Sequence, residues 1–297
     1  FCMLPMITPF WRYLGQPLIQ IYKQHLPLIT IMFKYRGQLK FLESRQTMRI
    51  DISPTSLEAG RRAADKSAAA IQSAIEARGQ AAVILATGAS QFDLLDALVK
   101  KPDIDWSRVT IFHLDEYIGI DASHPASFVR YLKERFLRRI SSVADFISIN
   151  GSASDIDLEI KRISDAIGRV AIDVALVGVG ENGHLAFNDP PADFDTHAPY
   201  MRVSLDKKCR MQQANEGWFP SFESVPAHAI SMSINQIMKS NTIICTVPDE
   251  RKSEAVKVVL EGEISNLCPA SILQSHNNTF FYLDMAAASK LRRETSE

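Results

Sequence analysis

The segment "DVALVGVGENGHLAFNDPP", residues 173–191, decides how this chain is read. Its apolar opening reads as a buried strand, and the glycines at 178, 180 and 183 match G-x-G-x-x-G, the spacing of a dinucleotide-binding turn. Such a turn needs its third glycine to enter a helix whose N-terminus faces a pyrophosphate. Here "HLAFNDPP" follows, and Pro190, Pro191 and Pro199 forbid a continuous helix because proline lacks the N–H and collides with the preceding turn. Asp206 stands where a ribose-binding acid would, but the helix that should precede it is missing. No nicotinamide or flavin is therefore expected. The glycines instead let the backbone fold tightly around something small, and His184 becomes the residue of interest. Two plainer readings stand beside that one. A histidine in a strand-end loop can simply bond a backbone carbonyl, and Asp189 can be a turn residue before proline. A metal site would need further ligands at recognisable spacing, and none is found, so no metal is expected.

Outward from this segment the pattern is regular. "SPTSLEAGRRAADKSAAAIQSAIEARG" opens on capping residues, runs through helix formers and stops at Gly79. The short apolar runs "AAVILA" (81–86), "VTIFHL" (109–114) and "FISI" (146–149) read as strands. So do "AISMSI", "NTIICTV" and "TFFYL". Between them lie helical stretches: "FDLLDALVK", "ASFVRYLKERFLRRI", "DIDLEIKRISDAI" and "ERKSEAVKVVLEG". This alternation predicts an α/β fold, a Rossmann-like, mostly parallel sheet with helices on both faces, in a single domain. Ligands of such sheets bind at the carboxyl ends of the strands. Three loops there carry unusual polar residues: Thr87-Gly88-Ala89-Ser90, Asp115-Glu116-Tyr117 and the glycine segment itself.

The bulk numbers agree. The 297 residues are 46% hydrophobic with a formal net charge of −1, an ordinary globular composition without the basic excess of a nucleic-acid binder. The four cysteines, Cys2, Cys209, Cys245 and Cys268, form no C-x-x-C pair, so a reducing cytoplasm is the default reading. Residues 1–47 differ from the rest, with six Lys/Arg against Glu43 and prolines and aromatics in no clean period. The apolar run "LPLITIMF" falls far short of the roughly 20 residues that span a bilayer. We read 1–47 as a poorly structured N-terminal extension and 48–297 as the domain. The rival reading of 1–47 is a membrane-surface or partner-binding arm.

"TGAS", "LDEYIGIDASHPASF" and "GVGENGHLAFNDP", in that order and at these separations, resemble the glucosamine-6-phosphate deaminase/isomerase family. The resemblance runs from about residue 55 to about residue 285, through "VPAHAISMS" and "PDERKSEAVK". It implies conversion of glucosamine 6-phosphate and water to fructose 6-phosphate and ammonia, without metal or redox cofactor. By this similarity His184 opens the ring, Asp189 orients its imidazole, and Asp115 moves the proton between C2 and C1. A carboxyl at a strand end, desolvated beside Tyr117, would have its pKa raised toward the working range. Thr87, Gly88, Ala89 and Ser90 would cradle the phosphate with their N–H groups, joined by Lys252.

Several positions depart from the family pattern. Asn182 stands where the usual motif has Asp, Asp189 replaces Glu, and the phosphate loop ends Ser-Gln instead of Thr-Pro. The second phosphate-contacting arginine has no clear match, and Arg210 is the candidate. The alternatives are a 6-phosphogluconolactonase-type lactone hydrolase and a non-catalytic sugar-phosphate sensor. Lactonases typically continue T-A-S-L-F-P after the histidine, which this chain lacks. A sensor would want a helix-turn-helix, and residues 1–47 show no amphipathic helix pair. The expected partner is a small sugar phosphate rather than nucleic acid or membrane, and relatives of this kind are often homo-oligomers.

Overall fold

The structure, a computed structural model, describes residues 48–292 and, before them, the backbone of three strands. Those strands are β1 (Ile19–Gln20), β2 (Thr30–Tyr35) and β3 (Gln38–Glu43), which pair antiparallel in the order β1-β2-β3. The rest of the N-terminal extension lies outside the described residues. The chain divides into two compact units, 1–47 and 48–297.

The second unit is built on a seven-stranded parallel sheet. Its strands are β4 (Arg49–Ser53), β5 (Ala81–Leu85), β6 (Val109–His113), β8 (Asp145–Ile147), β9 (Val174–Val177), β12 (Thr242–Val247) and β13 (Thr279–Asp284). They run in the order β4-β13-β12-β9-β5-β6-β8. The helices are α1 (Ser56–Arg78), α2 (Phe92–Leu98), α3 (Phe128–Arg135), α4 (Ile156–Ile167), α5 (Lys207–Asn215), α6 (Ile234–Met238) and α7 (Ser253–Glu261). Period-two alternation splits the buried strand residues between two cores. Val83, Leu85, Ile111, Leu176 and Ile244 pack with Ile71 of α1, Leu94 of α2 and Leu132 of α3. Ile84, Phe112, Val177 and Cys245 pack with Ile163 of α4 and Val259 of α7 on the other face. Burial on both faces explains why these strands read as continuous apolar runs.

Local chemistry sets the ends of the elements. Thr55 caps α1 by accepting from Glu58 N–H, and Gly79 stops it in the left-handed region at φ 76°. Buried Asp173, just before β9, accepts from Ala82 N–H at 2.9 Å and from the Arg78 guanidinium, tying the end of α1 to the start of β5.

Two readings change. "DEY", read as a strand-end loop, is itself a strand, β7 (Asp115–Tyr117), and "AISMSI" joins it rather than the parallel sheet. β11 (His228–Met232) pairs antiparallel with β7 and with β10 (Tyr200–Ser204), giving a second sheet of order β10-β11-β7. A short apolar run does not announce which sheet it will enter, and three residues are too few for a period. The edge strand β4 was not anticipated either. After Gly183 no helix forms until Lys207, as the prolines require.

The strand order reverses between β5 and β9, although the two strands run parallel. From β5 the order runs outward through β6 to β8, and from β9 outward through β12 to β13. The loops leaving these two strands therefore diverge, opening a crevice at their carboxyl ends.

Candidate functional site

A cleft of about 500 Å³ occupies that crevice. Its walls include Thr87–Ser90 after β5, Asp115 after β6, Gly178–Gly180 and His184 after β9, and Arg251 and Lys252 after β12. Every loop singled out from sequence thus reaches one cavity.

The loop after β9 makes its own hydrogen-bonded knot. His184 Nδ1 lies 3.1 Å from Asp189 Oδ1, and Asn182 Nδ2 donates to that same oxygen at 3.1 Å. Asn182 Oδ1 accepts from the His184 backbone N–H, while Asp189 Oδ2 accepts from Asp206 N–H at the cap of α5. Burial works to raise the Asp189 pKa, but the imidazole, the Asn182 amide and the Asp206 N–H together hold it below the ordinary value. Asp189 is therefore ionised and can orient the imidazole, which lines the cleft. Asn182 fills the place of a second carboxylate by bonding both partners at once.

The glycines answer to packing. A Cβ on Gly180 would fall 2.3–2.5 Å from three atoms of the His184 ring, so the imidazole lies directly on the bare backbone. A Cβ on Gly178 would fall 2.6 Å from Ser90 Oγ, the neighbouring loop. Gly183 adopts φ 80°, and Ala186 is held at φ 54°, a strained position for a residue with a side chain. Asn188 fixes the far end by donating to Leu185 O at 2.7 Å and Met232 O at 2.9 Å.

Asp115 sits at the start of β7, opposite Ser231 of β11, and is buried. Desolvation, then the neighbouring Glu116 charge, push its pKa up to about 8. Glu116 points its carboxylate to Tyr117 N–H, Ser127 Oγ and Val129 N–H, anchoring the start of α3. Tyr117, next along β7, belongs to an aromatic cluster. Its ring packs among Phe128, Phe187 and Phe219, and its hydroxyl donates to Gln213 Oε1 at 2.6 Å.

The Thr87–Ser90 loop is held by residues the sequence did not flag. Buried Gln91 donates its amide to Ser90 Oγ, Val177 O and Thr246 Oγ1, and Thr246 donates to Ser90 O. Tyr131 adds a bond to Gly88 O at 3.1 Å. The Ser-Gln ending is thus a brace across three strand ends, and only its departure from the usual Thr-Pro marked it beforehand. Lys252 is delivered by a 3-10 turn whose N-cap, Asp249, is strained at φ 86° and held through its N–H by Asp284. Burial pulls the Lys252 ammonium below its ordinary pKa.

Arg210 is not brought to the site. Its guanidinium donates to Val225 O and Phe222 O and stacks over the Phe222 ring at 4.2 Å. From the same helix, α5, it is Gln212 and Gln213 that line the cleft, with Glu216 just past its end. One grouping of metal-type ligand atoms exists among the described residues: His184, Asp189 and Cys209, within 4.8 Å of one another. Burial, then the Asp189 charge, push the Cys209 thiol up. Among the same residues, no helix is long and apolar enough to cross a membrane.

Because the His184 ring rests on Gly180, Gly180→Ala should move the imidazole and lower turnover by at least about tenfold through misplacement alone. The thermal midpoint and circular dichroism should change little. Unaltered turnover would show that the ring need not lie there.

Known proteins resemble this chain in sequence and fold. A family described as glucosamine-6-phosphate isomerases/6-phosphogluconolactonase matches residues 54–282. A glucosamine-6-phosphate deaminase of Streptococcus suis is 36% identical over 209 residues, covering 70% of this chain and 86% of the relative. One from Bacillus cytotoxicus is 35% identical over 219 residues, covering 74% and 81%. The solved structure of a monomeric glucosamine-6-phosphate deaminase superposes with a TM-score of 0.75 at 32% identity, covering 82% of this chain and all of that one. A 6-phosphogluconolactonase from Shewanella baltica shares the fold, with a TM-score of 0.67 at 21% identity over 81% of this chain and 98% of that one. By sequence, fold and the convergence of these loops, the chain belongs to the glucosamine-6-phosphate isomerase/6-phosphogluconolactonase family.

Proposed function

We propose that this chain is an amino-sugar-phosphate deaminase/isomerase that converts glucosamine 6-phosphate and water to fructose 6-phosphate and ammonia. One observation carries the reading: a buried carboxyl, Asp115, shares a cleft with an imidazole–carboxylate pair, His184 and Asp189. The phosphate is received by the backbone N–H groups of Thr87, Gly88, Ala89 and Ser90 and by Lys252, with no part for Arg210. His184, oriented by Asp189 and Asn182, carries a proton from the O1 hydroxyl to the ring oxygen, opening the pyranose to the aldehyde. Asp115 as carboxylate then takes the C2 proton and, as the acid so formed, returns it to C1. The C2 imine adds water and releases ammonia, leaving the ketone. A pKa near 8 suits a group that must both accept and return a proton. Lactone hydrolysis needs an activated water and no carbon-to-carbon proton carrier, so the poised Asp115 favours the deaminase. The buried unpaired thiols of Cys209, Cys245 and Cys268 fit a cytoplasmic enzyme.

The direct test follows ammonia and ketose phosphate together, from glucosamine 6-phosphate and then galactosamine 6-phosphate. Equal yields of both products support the reading. Silence on both sugars, with 6-phosphogluconolactone hydrolysed, overturns it. Asp115→Asn should remove turnover while leaving substrate binding nearly intact.

Stability should respond to the same substitution with a definite sign. Asp115 holds its proton in the folded chain up to about pH 8, whereas the unfolded chain releases it near pH 4. Its contribution to stability is therefore full below pH 4 and lost as pH rises through 8. Asp115→Asn should raise the thermal midpoint relative to wild type, by a margin that grows from pH 5 to 8 and then levels. A margin that shrinks over that range would contradict the buried carboxyl.

We further propose that residues 48–297 suffice for this activity. A chain lacking residues 1–47 should keep its kcat and its thermal midpoint within a few degrees of the full chain. Aggregation or loss of turnover on truncation would make the extension part of the enzyme.

A further inference from the structure

Glu181 lies between the two residues that organise the histidine. Gly180 supports the imidazole, and Asn182 bonds Asp189. Its own side chain turns the other way, toward the cations of the phosphate end. Glu181 Oε1 is 3.8 Å from Lys252 Nζ and 3.8 Å from Arg251 Nη1. A single carboxylate oxygen thus faces both cations that line the cleft after β12.

We infer that Glu181 is the internal counter-anion of the phosphate cradle, and that it sets how weakly the cleft holds an anion arriving without its sugar; this rests on the reading of Thr87–Ser90 and Lys252 as the phosphate site. The charges around the two cations support it. Arg251 is already committed to Asp249, whose Oδ2 it meets at 2.8 Å, so Lys252 is the cation with charge to offer. The Lys252 side chain is 9% exposed, where Coulomb interactions are less screened than at the surface. The acidic groups acting on it are Glu181, then Glu216 from the end of α5, then Asp249, with Arg251 the opposing cation. Arg210, which would have added a positive charge, is turned away. Two cations thus meet three acids, and the phosphate end of the cleft offers no net positive charge.

Glu181 is 38% exposed, so its carboxylate can leave for water without desolvation. A phosphate entering the cradle competes with it for Lys252. Inorganic phosphate must meet that competition from its contacts with the cradle alone. A sugar phosphate meets the same penalty but adds its hydroxyl and amino contacts deeper in the cleft, so it retains useful affinity where the free anion does not. Glu181 lowers the affinity of the group both share, leaving the free anion too weak to fill the site at concentrations where a sugar phosphate ester does.

The experiment is calorimetric titration of the full chain with inorganic phosphate, and with sulfate as a second tetrahedral anion, for wild type, Glu181→Gln and Glu181→Asp. A partly exposed ion pair is worth up to about 1 kcal/mol, so Glu181→Gln should bind phosphate about fivefold tighter, with Glu181→Asp close to wild type. The gain should shrink as salt is raised. Glu181→Ala should tighten binding like Glu181→Gln, which separates charge from the new amide. Equal or weaker phosphate binding by both neutral variants, or no binding by any form, overturns the inference. Ammonia release is read separately on the wild type. Turnover without tightening in the variants defeats this inference and leaves the deaminase reading. Tightening without turnover defeats the deaminase reading and leaves Glu181 as counter-anion.

Discussion

The pairing of β5 with β9 is the constraint on which the site depends. These central strands are neighbours in the parallel sheet, yet the chain continues outward from them in opposite directions. Their following loops cannot cover each other, so the carboxyl edge of the sheet stays open at that point. The loop from β5 becomes the proposed anion cradle and the loop from β9 the imidazole knot, and Gln91 spans the gap. Its amide bonds Val177 at the end of β9 and Thr246 near the end of β12, so the cradle is referenced to strands it does not belong to. Side chains on rigid strand ends, cross-braced in this way, keep the separations that proton transfer needs.

The second sheet does what the parallel sheet cannot. Asp115 leaves β6 and enters an antiparallel ribbon with β11, buried in its place by backbone pairing rather than left on a mobile loop. The aromatic cluster of Tyr117, Phe128, Phe187 and Phe219 packs against the ribbon at its other residues. Burial of Asp115 itself, with the Glu116 charge beside it, raises its pKa.

Much of this was legible beforehand, and the reasons differ from residue to residue. The buried strands β5, β6, β9, β12 and β13 show as apolar runs because both faces of the sheet are covered. Gly79 and the prolines after Gly183 punctuate the chain through backbone sterics, which act locally and so appear in sequence. His184, Asp189, Asn182 and Asp115 converge as expected because strand ends place them, whatever the side chains between do. Three features were not legible. β7 is too short to carry a period. Gln91 acts through partners 86 and 155 residues away. Arg210 was only a candidate, from a segment with no clear motif match, and a helical face is decided by packing: its guanidinium found the Phe222 and Val225 carbonyls instead.

The electrostatics of the cleft follow from carrying out two tasks in one small space. Carbon-to-carbon proton transfer asks for a carboxyl kept dry and nearly neutral, and ring opening asks for a carboxylate kept ionised beneath an imidazole. The fold meets both by giving the two acids different surroundings. Asp115 gains no donor that would stabilise its charge and is governed by burial. Asp189 gains the imidazole, an amide and a backbone N–H, and these outweigh its burial. Anion binding asks for the opposite sign of field a few residues away. With Arg210 withdrawn and Glu216 on the wall, that field comes from Lys252 and the backbone N–H groups of the cradle. Backbone donors carry no net charge, so they can hold a phosphate without shifting the acids beside them. The strained turn at Asp249, locked by Asp284, fixes the buried lysine at the cleft. A freely placed second cation would bind phosphate more tightly, but it would also stabilise the ionised form of Asp115 and lower the pKa that suits its proposed proton transfer.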